Sequence, residues 1–283
     1  MAGTLYLVAT PIGNLEDITL RALRVLREEV AVVACEDTRQ TQKLLQHYEI
    51  RKPLLAYHEH NEISRSAEIV EILERGESVA LVSDAGTPLV SDPGYRLLAA
   101  AIERKLAVIP IPGPSAVLTA LTASGLPTTE FRFVGFLPAK ELARRKVLTG
   151  LSNETSTVVA YESPHRILET LMDMREILAD RPLVLARELT KLHEEFLRGT
   201  PASILESLQG RVAIKGEITL VIGRAEERTS LVDPRDEVEK LQKEGLDRMD
   251  AIKTAAKRLG LPKREVYRRA AGLDSNPPGK RRD

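Results

Sequence analysis

The chain has 283 residues, 43% of them hydrophobic and 29% charged, with 41 basic and 41 acidic side chains. That composition fits a folded globular protein with room for two domains and excludes a disordered or fibrous one. No apolar run approaches the roughly 18 residues of a membrane helix. The single cysteine, Cys35, excludes an intrachain disulfide and a multi-cysteine zinc site, and agrees with a reducing cytoplasm. The zero net charge hides an asymmetry: from residue 253 onward ten Lys/Arg stand against three Asp/Glu, a surplus of seven that the preceding residues cancel. A basic tail on a near-neutral or acidic body points to a polyanionic partner; the alternative is a solvated helical tail.

In chain order, short apolar runs at 5–9, 31–35, 53–56, 79–82 and 108–111 read as strands separated by helical stretches. In 63–74, for example, Ile63, Ala67, Val70 and Leu73 fall close to a 3.6-residue period. The opening MAGTLYLVATP lacks the basic start and long apolar centre of a signal peptide and reads as the first strand. Alternation of strand and helix predicts a parallel sheet covered on both faces, an α/β domain over 1–125. After the break SGLPTTEFR, strands are expected at 131–135, 157–161, 183–188, 195–198 and 217–222, a second α/β domain over 126–223. Ser163 and Pro164 read as the cap and first position of a helix whose apolar face holds Ile167, Leu168, Leu171 and Ile177. A linker over 224–234 leads to a basic helical region over 235–273, with helices at 237–243, 250–259 and 263–271. Gly260 and Pro262 mark a short turn between the last two, the outline of a helix-turn-helix. A disordered tail is expected over 274–283.

Four strand ends of the first domain break into loops: ATPIGNLED, CEDTR, SDAGTPLVSDPG and PGPSA. Ligands of open α/β sheets bind outside the carboxyl ends of the strands, so four such loops on one edge would line one pocket. Neither phosphate-cradling pattern, GxxxxGKS/T or GxGxxG, occurs. His58 and His60 in YHEHN stand two residues apart with no third ligand evident, so no metal is expected. Glycine lets backbone approach a ligand and proline holds the loop rigid. Carbonyls, amides and a few carboxylates suit adenine edges, ribose hydroxyls and a cationic centre. Gly and Pro also mark ordinary turns; four such loops at strand ends together favour a site.

The stretches LVATPIGNLEDITLRA, CEDTR, SDAGTPLVSDPG, IPGPSA and YESPHR together resemble the ribosomal RNA small subunit methyltransferase I family, among the tetrapyrrole-methylase-like (class III) S-adenosylmethionine methyltransferases. The resemblance covers nearly the whole chain. It implies two α/β domains of tetrapyrrole-methylase type with S-adenosylmethionine in the cleft between them. It also implies methylation of a cytidine 2′-hydroxyl in the decoding region of 16S rRNA, free or in the small ribosomal subunit, by a homodimer. Carried over by position, it implies cofactor contacts from Pro11, Asp84, Gly86, Thr87, Leu89, Val90, Ser115 and Ala116. Tyr161, Ala186 and Thr219 would add contacts from the second domain.

Methyl transfer from a sulfonium is an in-line displacement, and good orientation alone supplies roughly 7–11 kcal/mol. A 2′-hydroxyl is a weak acid, so a base would add about 10²–10⁴-fold. The candidates are Asp37 and Arg39 of CEDTR, Asp84, and Glu162 and His165 of YESPHR, with Glu162 or Asp37 preferred as base. Arg39 or Arg166 would hold a phosphate. The alternative for each is a loop ion pair or a helix cap. With 4% aromatics and no tryptophan, RNA binding is expected to lean on charge. The cations are Lys253, Lys257, Arg258, Lys263, Arg264, Arg268 and Arg269. The alternative is that they solubilise a small bundle packed by Ile252, Ala255, Ala256, Leu259, Val266 and Tyr267. Two rivals stay open: a methylase of this fold acting on a tetrapyrrole or protein, and a non-enzymatic ligand-sensing regulator that binds nucleic acid.

Overall fold

In the first half of the chain, apolar runs too short for buried helices pair into an all-parallel sheet of β1 (Thr4–Val8), β2 (Val32–Cys35), β3 (Leu54–Ala56), β4 (Val79–Val82) and β5 (Ala107–Ile111). The strand order is β3-β2-β4-β1-β5. All four residues of β4 are buried because helices cover both faces. β5 carries Pro110, which an edge strand tolerates. The covering helices are α1 (Leu20–Arg24), α2 (Thr38–His47), α3 (Glu62–Glu74) and α4 (Tyr95–Glu103); α5 (Ala116–Ala123) follows β5 and packs instead on strands of the second half of the chain. One core, around Val8, Leu26, Val33 and Leu45, fills one face; another, around Leu5, Ile69, Leu73 and Leu97, fills the other.

The second sheet contains β6 (Phe131–Phe136), β7 (Thr157–Glu162), β8 (Leu183–Arg187), β9 (Glu195–Gly199) and β10 (Ile218–Ile222), in the order β6-β7-β10-β8-β9. Only β6 and β7 run parallel; the other pairs are antiparallel. Helices α6 (Glu141–Leu151), α7 (Ile167–Leu178) and α8 (Pro201–Gln209) pack on it over Leu148, Leu171, Met174 and Leu205. Helix α7 begins at Ile167, with Arg166 at the N-cap position making no side-chain capping bond, and not directly after Ser163. Residues 163–166 form a turn instead, held by Ser163 Oγ accepting from His165 N at 3.3 Å.

The two sheets form one compact unit, Met1–Ala225. A shared core joins them: Ile12, Val117, Ala120 and Leu121 pack with Val159, Val184, Ala186, Leu189 and Val221. This computed structural model describes residues 1–225, 233–259 and 261–272. The expected tail at 274–283, Gly260 and most of the expected linker therefore lie outside the described residues.

The second unit holds α9 (Pro234–Lys243), α10 (Arg248–Leu259) and α11 (Lys263–Ala270). Asp233 caps α9 by accepting from Arg235 N at 2.9 Å. Its small core gathers Val238, Leu241, Ile252, Ala255 and Val266. Tyr267 departs from the sequence expectation: it is 47% exposed and not a core residue.

Candidate active site

The carboxyl ends of β1, β2, β4 and β5 release four loops, and hydrogen bonds staple them together. Thr10 and Gly86 exchange backbone bonds, N to O, at 2.9 and 3.0 Å. Thr87 Oγ1 donates to Pro114 O at 3.1 Å, and Asp37 N donates to Asp84 Oδ1 at 3.0 Å. The loops after β1, β4 and β5 form one wall of a cleft of about 400 Å³ whose other wall comes from the second sheet; the loop after β2, CEDTR, was expected to join them but does not line it. Ile12, Asp84–Thr87, Val90–Asp92, Ser115 and Ala116 line the first wall; Phe136, Tyr161–Pro164 and Gly216–Thr219 line the second.

The loop backbone is built for close approach. Gly86 has φ 82°, where side chains are strained, and a Cβ there would sit 3.3 Å from Ile12 Cγ2. Leu89 and Ser91 hold φ of 69° and 70°, a left-handed geometry that is costly for non-glycine residues and gathers at ligand sites.

The electrostatics are one-sided. Asp84, Asp92, Glu162 and Glu217 line the cleft, and among the described residues no lysine or arginine does. Burial, reinforced by the charges of Glu36 and Asp84, pushes the Asp92 carboxyl up to about 6, while the Ser83 hydroxyl works the other way. Burial, then the charges of Asp92 and Glu217, push the Tyr161 phenol up to about 12. Burial and the Asp84 charge also raise Glu36. The cleft volume suits a small-molecule ligand. Glu162 and Glu217 are ion-paired with Arg166 and Lys191, whereas Asp84 and Asp92 have no ion-pair partner among the described residues; those two carboxylates, bare backbone and apolar walls suit an adenosyl sulfonium and oppose a phosphate-rich nucleotide.

The residues singled out in the sequence divide into groups. Asp84, Gly86, Thr87, Val90, Ser115, Ala116, Tyr161 and Thr219 all line the cleft. Pro11, Leu89 and Ala186 do not. Pro11 precedes the lining Ile12, Leu89 turns toward Gly94, and Ala186 is fully buried in the core shared by the sheets.

The catalytic candidates are mostly committed elsewhere. Asp37 caps α2, and its Oδ1 and Oδ2 accept from the Arg39 backbone and guanidinium at 2.9–3.1 Å. Those bonds hold its carboxyl below the usual range, and neither residue lines the cleft. The Arg39 side chain is 86% exposed. Glu162 lines the cleft, but its side chain is fully buried. Its Oε1 accepts from Ser163 N at 2.6 Å and Arg166 Nη2 at 2.7 Å; its Oε2 accepts from Thr170 Oγ1 at 2.7 Å. His165 is exposed and off the cleft.

The tetrapyrrole (corrin/porphyrin) methylase family profile matches residues 4–205. Ribosomal RNA small subunit methyltransferase I of Halalkalibacterium halodurans is 47% identical over 272 residues, covering 94% of this chain and 93% of its own. The protein of that name from Synechocystis is 46% identical over 279 residues, covering 97% and 99%. The chain belongs to the ribosomal RNA small subunit methyltransferase I family. Among solved structures, uroporphyrin-III C-methyltransferase of Thermus thermophilus complexed with S-adenyl homocysteine matches with a TM-score of 0.55 and 19% identity, covering 78% of this chain and 97% of its own. The protein is thus a methyltransferase with the tetrapyrrole methylase fold.

For this methyltransferase, sequence reasoning passed over Asp92 and Phe136, both in the cleft wall. Signals existed for both. Asp92 is the second aspartate of SDAGTPLVSDPG, next to a proline that fixes its turn. Phe136 follows Gly135, and a glycine inside a strand pattern signals a bulge.

Proposed function

We propose that the methyltransferase methylates the 2′-hydroxyl of a cytidine in the decoding region of 16S rRNA, working in the cytoplasm as a homodimer. The printed names of its relatives support small-subunit rRNA as substrate. The observation that carries the hydroxyl acceptor is the Asp92 carboxylate in the cleft wall, partly buried and facing no lining cation. An oxygen acceptor must lose a proton as its bond to carbon forms, and a carboxylate with a pKa near the working pH takes it most effectively.

S-adenosylmethionine supplies a methyl carbon already activated by the sulfonium. Gly86, Thr87, Ser115, Ala116 and Thr219 would hold its adenosyl part through backbone and hydroxyl groups, and Tyr161 would pack against it. Asp84 would offer its carboxylate to ribose hydroxyls or to the cationic end. Asp92 would accept the 2′-hydroxyl proton. Glu162 serves by fixing the 163–166 turn through Ser163 and Arg166. Asp37 and Arg39 would brace the α2 end of the site. Cations of the helical unit would carry the phosphate contacts: Lys253, Lys257, Arg258, Lys263, Arg264, Arg268 and Arg269 are all exposed.

The test offers labelled S-adenosylmethionine with naked 16S rRNA and with small subunits, then digests the product in alkali. A 2′-O-methyl group blocks cleavage of its own phosphodiester, so label in an alkali-resistant dinucleotide that starts with cytidine is the expected outcome. Label released on a free base-methylated mononucleotide would overturn the ribose assignment.

A further inference from the structure

Strand β6 contains an irregularity with a chemical consequence. Phe131, Arg132 and Phe133 pair in step with Thr157, Val158 and Val159, but Phe136 pairs with Tyr161, so one extra residue sits between. Gly135 supplies it, at φ 69°, and a Cβ added there would sit 3.7 Å from Ser91 Oγ on the opposite wall. Side chains alternate faces along a strand, so Phe133 and Phe136 would lie on opposite faces of a regular one. The bulge puts them on the same face. Both rings meet Tyr161, with centroid separations of 5.0 and 5.3 Å. Phe133 is partly buried in the shared core, whereas Phe136 lines the cleft with 59% of its surface exposed.

The cleft grades from closed to open. Ile12, Gly86, Ile218 and Thr219 are buried; Asp84, Ser91 and Phe136 are exposed at its mouth. The closed end suits the cofactor, and an acceptor must enter past Phe136. The lining carries carboxylates and, among the described residues, no cation, so an entering nucleotide is accommodated by its uncharged parts, base and sugar, with its phosphates left outside. A duplex or a stacked strand cannot present a nucleoside this way; one drawn out of the stack can.

We propose that Phe136 is the platform on which the target nucleobase stacks, holding the ribose beside Asp92. Resting on the rRNA function proposed above, this gives the bulge a purpose. It converts a strand residue into an exposed aromatic face at the cleft mouth, in a protein with few aromatics to spare. Base–aromatic stacking corresponds to about 5- to 100-fold in affinity.

Three variants test it: Phe136→Ala, Phe136→Leu and Phe136→Tyr. Each is assayed for methyl transfer to small subunits under varied RNA concentration and for S-adenosylhomocysteine binding by calorimetry. Phe136→Ala and Phe136→Leu are expected to lose about 5- to 100-fold in kcat/KM for RNA, Phe136→Tyr to stay near wild type, and cofactor affinity to hold within about twofold in all three. Wild-type rates in Phe136→Leu would reduce the residue to a filler. A parallel loss of cofactor affinity would make it a cofactor wall. Wild-type enzyme inactive on small subunits overturns the proposed function and this role with it. Active wild type with an unimpaired Phe136→Ala overturns this role alone.

Discussion

Replacing Asp92 by asparagine separates the chemistry of the cleft from its stability. The carboxyl has an ordinary value of 3.8 and is raised to about 6, chiefly by burial and then by Glu36 and Asp84. Its folded-state pKa exceeds the unfolded one, so its contribution to stability is fully present below pH 3.8 and is lost as pH rises through 6. At pH 8 the ionised group opposes folding by up to about 3 kcal/mol, at 1.36 kcal/mol per unit. Partial exposure brings a realistic figure to about 1–2 kcal/mol. Asp92→Asn keeps the shape and removes the charge. It is therefore expected to raise the melting temperature at pH 8 by several degrees, at about 2–4 °C per kcal/mol for larger chains, and to leave it unchanged near pH 4. Methyl transfer is expected to fall about 10²–10⁴-fold. The wild-type kcat/KM should climb about tenfold per pH unit below pH 6 and level off above it; the variant should lack that limb. Thermal unfolding at the two pH values and methylation from pH 5 to 8 are the assays. Asparagine at full speed would refute the base assignment. Asparagine that is slow but no more stable at pH 8 would refute the electrostatic argument behind it.

Three further outcomes follow from particular contacts. Glu162→Gln, once folded, should bind cofactor and keep methylation within about tenfold of wild type, because the carboxylate already accepts bonds from Ser163, Arg166 and Thr170; a loss near 10³-fold in a variant with unchanged melting would return it to the chemistry. Asp173→Asn should destabilise by about 3–5 kcal/mol in denaturant titration, since it strands the buried Arg144, whose Nε donates to Asp173 Oδ2 at 2.7 Å; an unchanged midpoint would show the pair to be dispensable. RNA affinity should fall with salt at a log–log slope of about −2 to −3. Lys253, Arg258 and Arg269 already pair with Asp250, Glu237 and Glu265, while Lys257, Lys263 and Arg264 have no ion-pair partner among the described residues. A slope near −6 in filter binding would mean that the paired cations also release counterions.

Strand positions were legible because strands covered on both faces are short, mostly apolar runs, as in the LYLV of β1, the VALV of β4 and the ITLVI of β10. Three of the four loops were legible as ligand loops because glycine and proline mark where backbone, not side chain, faces the cleft; CEDTR, which holds neither residue, does not line it. The catalytic candidates were harder. Asp37, Glu162 and Asp92 are all loop or strand-end carboxylates, and local sequence does not tell a capped one from an uncommitted one. The difference lies in partners: Arg39 is two residues from Asp37, Arg166 and Thr170 lie within eight of Glu162, whereas Glu36, the carboxylate that acts most strongly on Asp92, comes from the separate loop after β2. Only the folded sheet brings Glu36 to Asp92. Pattern placed the start of α7 too early, because Ser163 and Pro164 make good cap chemistry; Glu162 instead draws the Ser163 amide and Arg166 into a turn.

The charge asymmetry of the sequence acquires a physical meaning from these two kinds of surface. A cleft lined with carboxylates repels the phosphodiester backbone of its proposed substrate, so its interior cannot supply the affinity for RNA. That affinity must come from elsewhere on the chain, and the seven exposed cations of α10 and α11 sit on a unit with its own core. Under the proposed function, the acidic mouth would select for base and sugar while the basic helices hold phosphate. Removing residues 226–283 is therefore expected to raise KM for RNA by far more than it lowers kcat, and to leave cofactor affinity unchanged, since the cleft is complete within Met1–Ala225. A truncated enzyme with wild-type KM would place the phosphate contacts on the first unit, and the basic helices would then be merely solvated.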